Sequence, residues 1–181
     1  MTVIELLERI RRPYIDALCR AAAQGMYHVE PMLRNGDGTP ARDGTLATPY
    51  RCDLARTDTG ATQTVDATER LRLDDVRVDM QGATLTIAGF SWDWLTLDVA
   101  GLPEHDATPL VRDWFLRWID EDDENARNPD GLYGVVHFID DPMPVDDALR
   151  FRIDLGSAPA AALSELIELL LDRGAMAVAL H

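Results

Sequence analysis

The chain has 181 residues, a hydrophobic fraction of 46% and a formal net charge of −15, which suits one globular domain with its own core and excludes wholesale disorder. All 17 basic residues are arginine, so a Schiff-base lysine, a phosphate-loop lysine and a Ser–Lys pair are excluded. Residues 1–90 hold 13 acids against 11 Arg, a net −2, whereas residues 91–181 hold 19 against 6, a net −13; a field of that sign repels nucleic acid and anionic membranes and favours basic protein partners.

At the N-terminus, Thr2 and Glu5 form a capping-box pattern. Val3, Leu7, Ile10, Tyr14 and Leu18 follow at helical spacing. A helix is expected over 1–25, kinked or split at Pro13 and stopped by Gly25. Charges at Glu5, Glu8, Arg9, Arg11 and Arg12 interrupt the apolar segment that a signal peptide needs, and no stretch approaches the roughly 18 apolar residues of a membrane span. The expected compartment is the cytoplasm.

Residues 26–90 read as β-rich, built from antiparallel hairpins. Turn signals stand at Asn35–Gly38 and Arg42–Gly44, and Thr57–Thr64 is polar and loop-like. Alternation returns at Leu71 and Leu73, then resumes out of phase at Val76, Val78 and Met80, which predicts a bulge or break at Asp74–Asp75. A turn at Gln81–Gly82 leads into the next strand.

Residues 91–181 look duplicated. Leu95–Gly101 and Phe151–Ser157 share one pattern: apolar, polar, apolar, Asp, apolar, small, small. Each copy then reaches a proline suited to a helix start, at Thr108–Pro109 and Ala158–Pro159. One helix carries Leu110, Val111, Trp114, Phe115, Trp118 and Ile119; the other carries Leu163, Leu166, Ile167 and Leu170 and ends at Gly174. Strands follow from Leu132 and from Ala175. The expected fold is α+β: a C-terminal βαββαβ, ferredoxin-like half, preceded by the helix and hairpins in a single unit over 1–181. In that topology the loop 101–107 and the Asp140–Asp147 loop share one end of the sheet, and Asp120–Glu124 lies at the other.

Chemical motifs are sparse. The acidic run Asp120, Glu121, Asp122, Asp123 and Glu124 fails as a calcium loop: counted from Asp120, Asn125 replaces the required Gly and Gly131 the required Glu; counted from Asp122, Ala126 replaces a ligand. Five acids at a helix end also oppose the helix dipole, so a loop should begin near Asp120. Asp58–Ala61 spells “DTGA” and resembles the Asp-Thr-Gly motif of retroviral-type aspartic proteases over those four residues. The resemblance implies a second copy from a homodimer; the polar flanks predict a turn instead. His28, His105, His137 and His181 show no helical metal-pair spacing. His137, inside an apolar run, is expected to be a satisfied core or strand histidine. Cys19 and Cys52 fit no paired metal-ligand spacing and are expected to be small buried side chains, not a disulfide or a nucleophile, and no G-x-S-x-G, C-x-x-C or G-x-G-x-x-G motif occurs, so no cofactor is implied. Trp92 and Trp94 fall two apart, as on one strand face, beyond the core pair Trp114 and Trp118.

The expected function is a non-enzymatic acidic protein-binding module, monomeric or homodimeric, that meets a basic protein through Asp120–Glu124, Trp92 and Trp94. Immunity proteins that neutralise bacterial toxins resemble it in charge and size alone. The alternative is a metal-assisted hydrolytic enzyme around His105 and the Asp140–Asp147 loop.

Overall fold

The Thr2 hydroxyl accepts the Glu5 N–H while the Glu5 carboxylate accepts the Thr2 N–H, so the capping box forms as the sequence predicts. In the computed structural model, which describes residues 1–67, 71–80 and 82–181, the helix it starts is α1 (Val3–Ala22). α1 is not split at Pro13 but continues through it as one helix. The reason is energetic: the buried stripe Leu6, Leu7, Ile10, Tyr14, Ile15 and Leu18 lies on both sides of the proline. Burial worth about 1.5–3 kcal/mol per large apolar side chain exceeds the proline's cost of about 3 kcal/mol.

Five short strands follow: β1 (Tyr27–Val29), β2 (Arg42–Asp43), β3 (Thr48–Pro49), β4 (Leu54–Arg56) and β5 (Thr62–Gln63). β1, β4 and β5 form one small antiparallel sheet, and β2–β3 form a hairpin. The first expected turn occurs, with the Gly38 N–H bonding the Asn35 carbonyl; the second is displaced, since Arg42–Asp43 is strand and the turn begins at Gly44, whose carbonyl accepts the Ala47 N–H. The polar stretch after Arg56 is the β4–β5 connection. Then come β6 (Val76–Met80) and β7 (Ala83–Ile87), an antiparallel pair. Residues 71–75 are not strand, which locates the expected break. Of the expected turn at 81–82, Gln81 lies outside the described residues, and Gly82 takes φ +85°.

The C-terminal half supplies β8 (Leu95–Ala100), α2 (Glu104–Trp118), β9 (Phe138–Ile139), β10 (Met143–Val145), β11 (Ala148–Asp154), α3 (Ala160–Arg173) and β12 (Ala177–Leu180). β9, β11, β8 and β12 lie side by side in that order, each antiparallel to its neighbour. The expected element order βαββαβ is thus arranged as a split βαβ sheet. β10 extends the β9 edge along β11, and β7 adds parallel to β12, so β6–β7 widens the same sheet. β7, β8, β11 and β12 bury alternate residues. α3 packs against both α1 and α2, and the Trp114 indole N–H bonds the Ala162 carbonyl. No helix among the described residues is long and apolar enough to cross a membrane.

Two boundaries differ from expectation. α2 begins at Glu104, not at Pro109. Glu104 and Asp106 favour the positive end of the helix, buried Ala107 anchors it, and Pro109 lies on the exposed side. The strand expected from Leu132 contracts to Phe138–Ile139, because the preceding backbone bonds the ends of other elements. Val136 N–H bonds the Trp118 carbonyl, and His137 N–H bonds the Asp154 carbonyl.

Candidate functional site

Four ionisable side chains meet where β11 ends and β9 begins. Glu30 follows β1, Asp53 precedes β4, His137 precedes β9 and Asp154 closes β11. Gly156, at φ +49°, makes room for them: a Cβ there would overlap the His137 ring and the Val135 carbonyl. The His137 side chain is fully buried, and its Nε2 lies 2.8 Å from Glu30 Oε1. Since an ionised carboxylate only accepts, Nε2 carries the proton in that bond. Glu30 also accepts the N–H groups of Ser157 (3.1 Å) and Tyr133 (2.8 Å).

Asp53 is held as firmly. Its Oδ1 accepts the Tyr14 hydroxyl at 2.5 Å, and its Oδ2 accepts the Val65 N–H at 2.6 Å. Asp154 Oδ1 accepts the Gly156 N–H at 2.9 Å. His137 Nδ1 lies 3.1 Å from Asp53 Oδ1 and 3.6 Å from Asp154 Oδ2. The Asp154 oxygen lies beyond hydrogen-bonding distance, and among the described residues Nδ1 has no hydrogen-bond partner. One donor atom from each of Asp53, His137 and Asp154 lies within 4.8 Å of the others.

Burial and charge oppose one another at this cluster. Burial disfavours charge on His137, but Asp154, Asp53 and Glu30 raise its pKa well above the ordinary value. Burial also works against ionised Glu30 and Asp53, yet the bonds and charge from His137 leave both below the ordinary carboxylate range. For Asp154 burial wins and the pKa is raised. Burial, then the Asp154 and Asp53 charges, push the Tyr14 phenol well above 10.

Two members of the cluster, Asp53 and Asp154, line a cleft of about 370 Å³, together with Asp66, Asp93, Thr64 and Arg51. Trp94 and Phe138 line its apolar side, stacked at 6.4 Å with 6° between ring planes, and Tyr50 meets Phe138 edge-on. Burial raises the Asp93 pKa. No protein-family model, curated protein or solved structure matches the chain. The reading of this cleft therefore rests on its chemistry.

The residues singled out in the sequence take different places. Asp120 and Asp123 leave the helical backbone, at φ +54° and +56°, so the loop starts where the dipole argument put it. Its acids are drawn inward by the N-terminal part. Arg51 bonds the carbonyls of Glu30, Ile119 and Asp120 and the Asp123 carboxylate. Arg34 pairs with Asp123 at 2.7 Å, and Arg42 pairs with Glu121. The Asp120 carboxylate caps the N–H groups of Glu124 and Asn125. Asp122 and Glu124 are exposed and form no ion pair among the described residues.

Trp92 and Trp94 do not share a strand face, because Ser91 and Trp94 bridge across a tight turn before β8. Trp92 is 1% exposed, with an unbonded indole N–H among the described residues; Trp94 is 44% exposed. The His105 side chain is 83% exposed and pairs with Asp106 at 3.5 Å. Among the described residues it forms no three-residue metal group with the Asp140–Asp147 loop. Asp141 instead accepts the Thr45 and Leu46 N–H groups. Asp58 pairs with Arg56, which holds its carboxyl at about 2, as a polar turn would. Cys19 and Cys52 are free and half-buried, and burial raises both thiols.

Sequence reasoning missed Glu30, Asp53, Asp154 and Tyr14. A signal was present: each of the three acids stands between apolar neighbours, Val29 and Pro31, Cys52 and Leu54, Ile153 and Leu155. An acid in such a setting needs a buried partner.

Proposed function

We propose that the chain is a non-enzymatic binding protein whose acidic cleft receives a cationic side chain of a basic protein partner. In this reading it works as an immunity-type protein does, by occupying a basic toxin or effector. The observation that carries it is the exposed Trp94, stacked on Phe138, beside the carboxylates of Asp66 and Asp93. An aromatic face next to carboxylates suits a guanidinium, which stacks and pairs at once. Tryptophan in such a setting is a common source of interface energy, and the net charge of −15 draws a basic partner in.

A photo-crosslinking residue at position 94, used in the native cell, tests the proposal. A basic protein should be captured, and Trp94→Ala or the pair Asp66→Asn and Asp93→Asn should weaken its binding about tenfold or more, which is about 1.4 kcal/mol. Capture of only acidic proteins, or unchanged affinity in both variants, rejects it.

A further inference from the structure

We infer that Asp53, His137 and Asp154 form a binding site for one divalent transition-metal ion of the Zn²⁺ or Mn²⁺ kind, on the floor of the acidic cleft. The first support is spacing. A tetrahedral ion with bonds of about 2.0–2.1 Å spreads neighbouring donors about 3.3–3.4 Å apart. His137 Nδ1 stands 3.1 Å from Asp53 Oδ1 and 3.6 Å from Asp154 Oδ2, on either side of that value.

The second support is the imidazole. Nδ1 is completely buried and has no hydrogen-bond partner among the described residues, although two carboxylates flank it. Meanwhile Nε2–H is committed to Glu30 at 2.8 Å. Nδ1 faces the two acids, and once an ion displaces its proton the lone pair is presented beside them, the carboxylate–histidine arrangement that orients a metal-binding imidazole. The other donors are likewise steadied from outside: Asp53 by Tyr14 and Val65, Asp154 by the Gly156 N–H.

Charge and access agree. With the His137 proton released as the ion enters, two carboxylates and a neutral imidazole balance a dication. One nitrogen and two oxygens suit a borderline ion better than all-oxygen Ca²⁺ or thiol-seeking Cu⁺. The cleft, about 370 Å³ and lined by Asp53 and Asp154, supplies an entry path and leaves a coordination position open to water or a ligand. The partner reading is not required, since the ion binds the chain alone.

The full chain, purified without a histidine tag and stripped with a chelator, should be titrated calorimetrically with ZnCl₂ and MnCl₂. One equivalent is expected to bind, at micromolar affinity or tighter, and Co²⁺ in its place should give visible d–d absorption. Asp154→Asn keeps an oxygen for the Gly156 N–H, so it should fold yet lose roughly 100-fold or more in affinity. Asp172→Asn, exposed on α3, should bind as the parent does. If His137→Ala fails to fold, the Asp154→Asn titration and the wild-type Co²⁺ spectrum still decide. The site is refuted by absence of saturable binding in the stripped protein. It is also refuted if several weak equivalents survive Asp154→Asn, the behaviour of adventitious ions on an acidic surface.

Discussion

Arg51 shows how much one side chain carries. It is buried, and its guanidinium bonds three backbone carbonyls from separate segments as well as the Asp123 carboxylate. It ties the end of α2, the acidic loop and the Glu30 corner together, and its own N–H bonds the His137 carbonyl. Arg51→Met keeps the apolar stem but strands those acceptors. Stability should fall by about 3–5 kcal/mol, because buried groups left without partners bear the desolvation penalty. Arg51→Lys should recover only part of it, since an ammonium cannot reproduce the planar fork. Urea denaturation reads both; a loss below about 1 kcal/mol for Arg51→Met would show that water replaces the guanidinium easily. Nothing in the local sequence marks Arg51, because its partners lie 21 to 72 positions away. For the same reason His137 was recognisable as a core residue and not as the centre of a cluster.

At the scale of elements, the elements whose residues bury alternately or along a stripe were legible. The β8 and β11 repeats are neighbours, with Leu97 opposite Phe151 and Leu95 opposite Ile153. The order of strands and helices along the chain followed from that pattern, whereas the order of strands across the sheet came only from their pairing. What stayed illegible was set by distant contacts: the continuity of α1 at Pro13, the early start of α2, and the short β9. The repeated Asp has acquired two roles. Asp154 enters the buried cluster, whereas Asp98 sits opposite Arg150 and takes a two-pronged bond from it at 2.7 and 2.8 Å, with His181 at 2.9 Å. The Arg150 bonds lead in holding the Asp98 pKa low, burial opposes them, and His181 adds to them. A carboxyl depressed on folding stabilises above its unfolded pKa of about 3.9 and ceases to do so as pH falls through the folded value. Asp98→Asn should therefore cost about 0.5–1 kcal/mol at neutral pH, kept small by solvent screening. The difference from the parent should shrink below about pH 4 and vanish in stronger acid. Thermal unfolding of both proteins across that range checks it, and a difference that stays constant down to acid pH would exclude the Asp98 carboxylate as its source.

For the whole molecule, the charge asymmetry is partly cancelled inside the fold. The nearly neutral half donates Arg34, Arg42 and Arg51 to the acidic run of the other half. Composition cannot reveal this, since a net count treats every acid as free. Of the five acids, only Asp122 and Glu124 remain without an ion pair or a capping bond among the described residues. The run thus divides into an internal clamp and a small free surface, and the two parts predict different consequences. Asp122→Arg with Glu124→Arg moves the net charge from −15 to −11 without touching the clamp. Association with an arginine-rich probe should slow several-fold at low salt, and the difference should fade as the screening length shortens from about 10 Å at 0.1 M to about 3 Å at 1 M. The melting temperature should hold or rise, because like charges have been separated. Asp123→Arg places a cation against Arg34 and Arg51, so its first effect should be a lower melting temperature. Stopped-flow rates at two salt concentrations, with a thermal melt of each variant, separate the cases. If the double reversal leaves the rate unchanged, long-range attraction arises elsewhere, and the acidic cleft around Trp94 must steer the partner by itself.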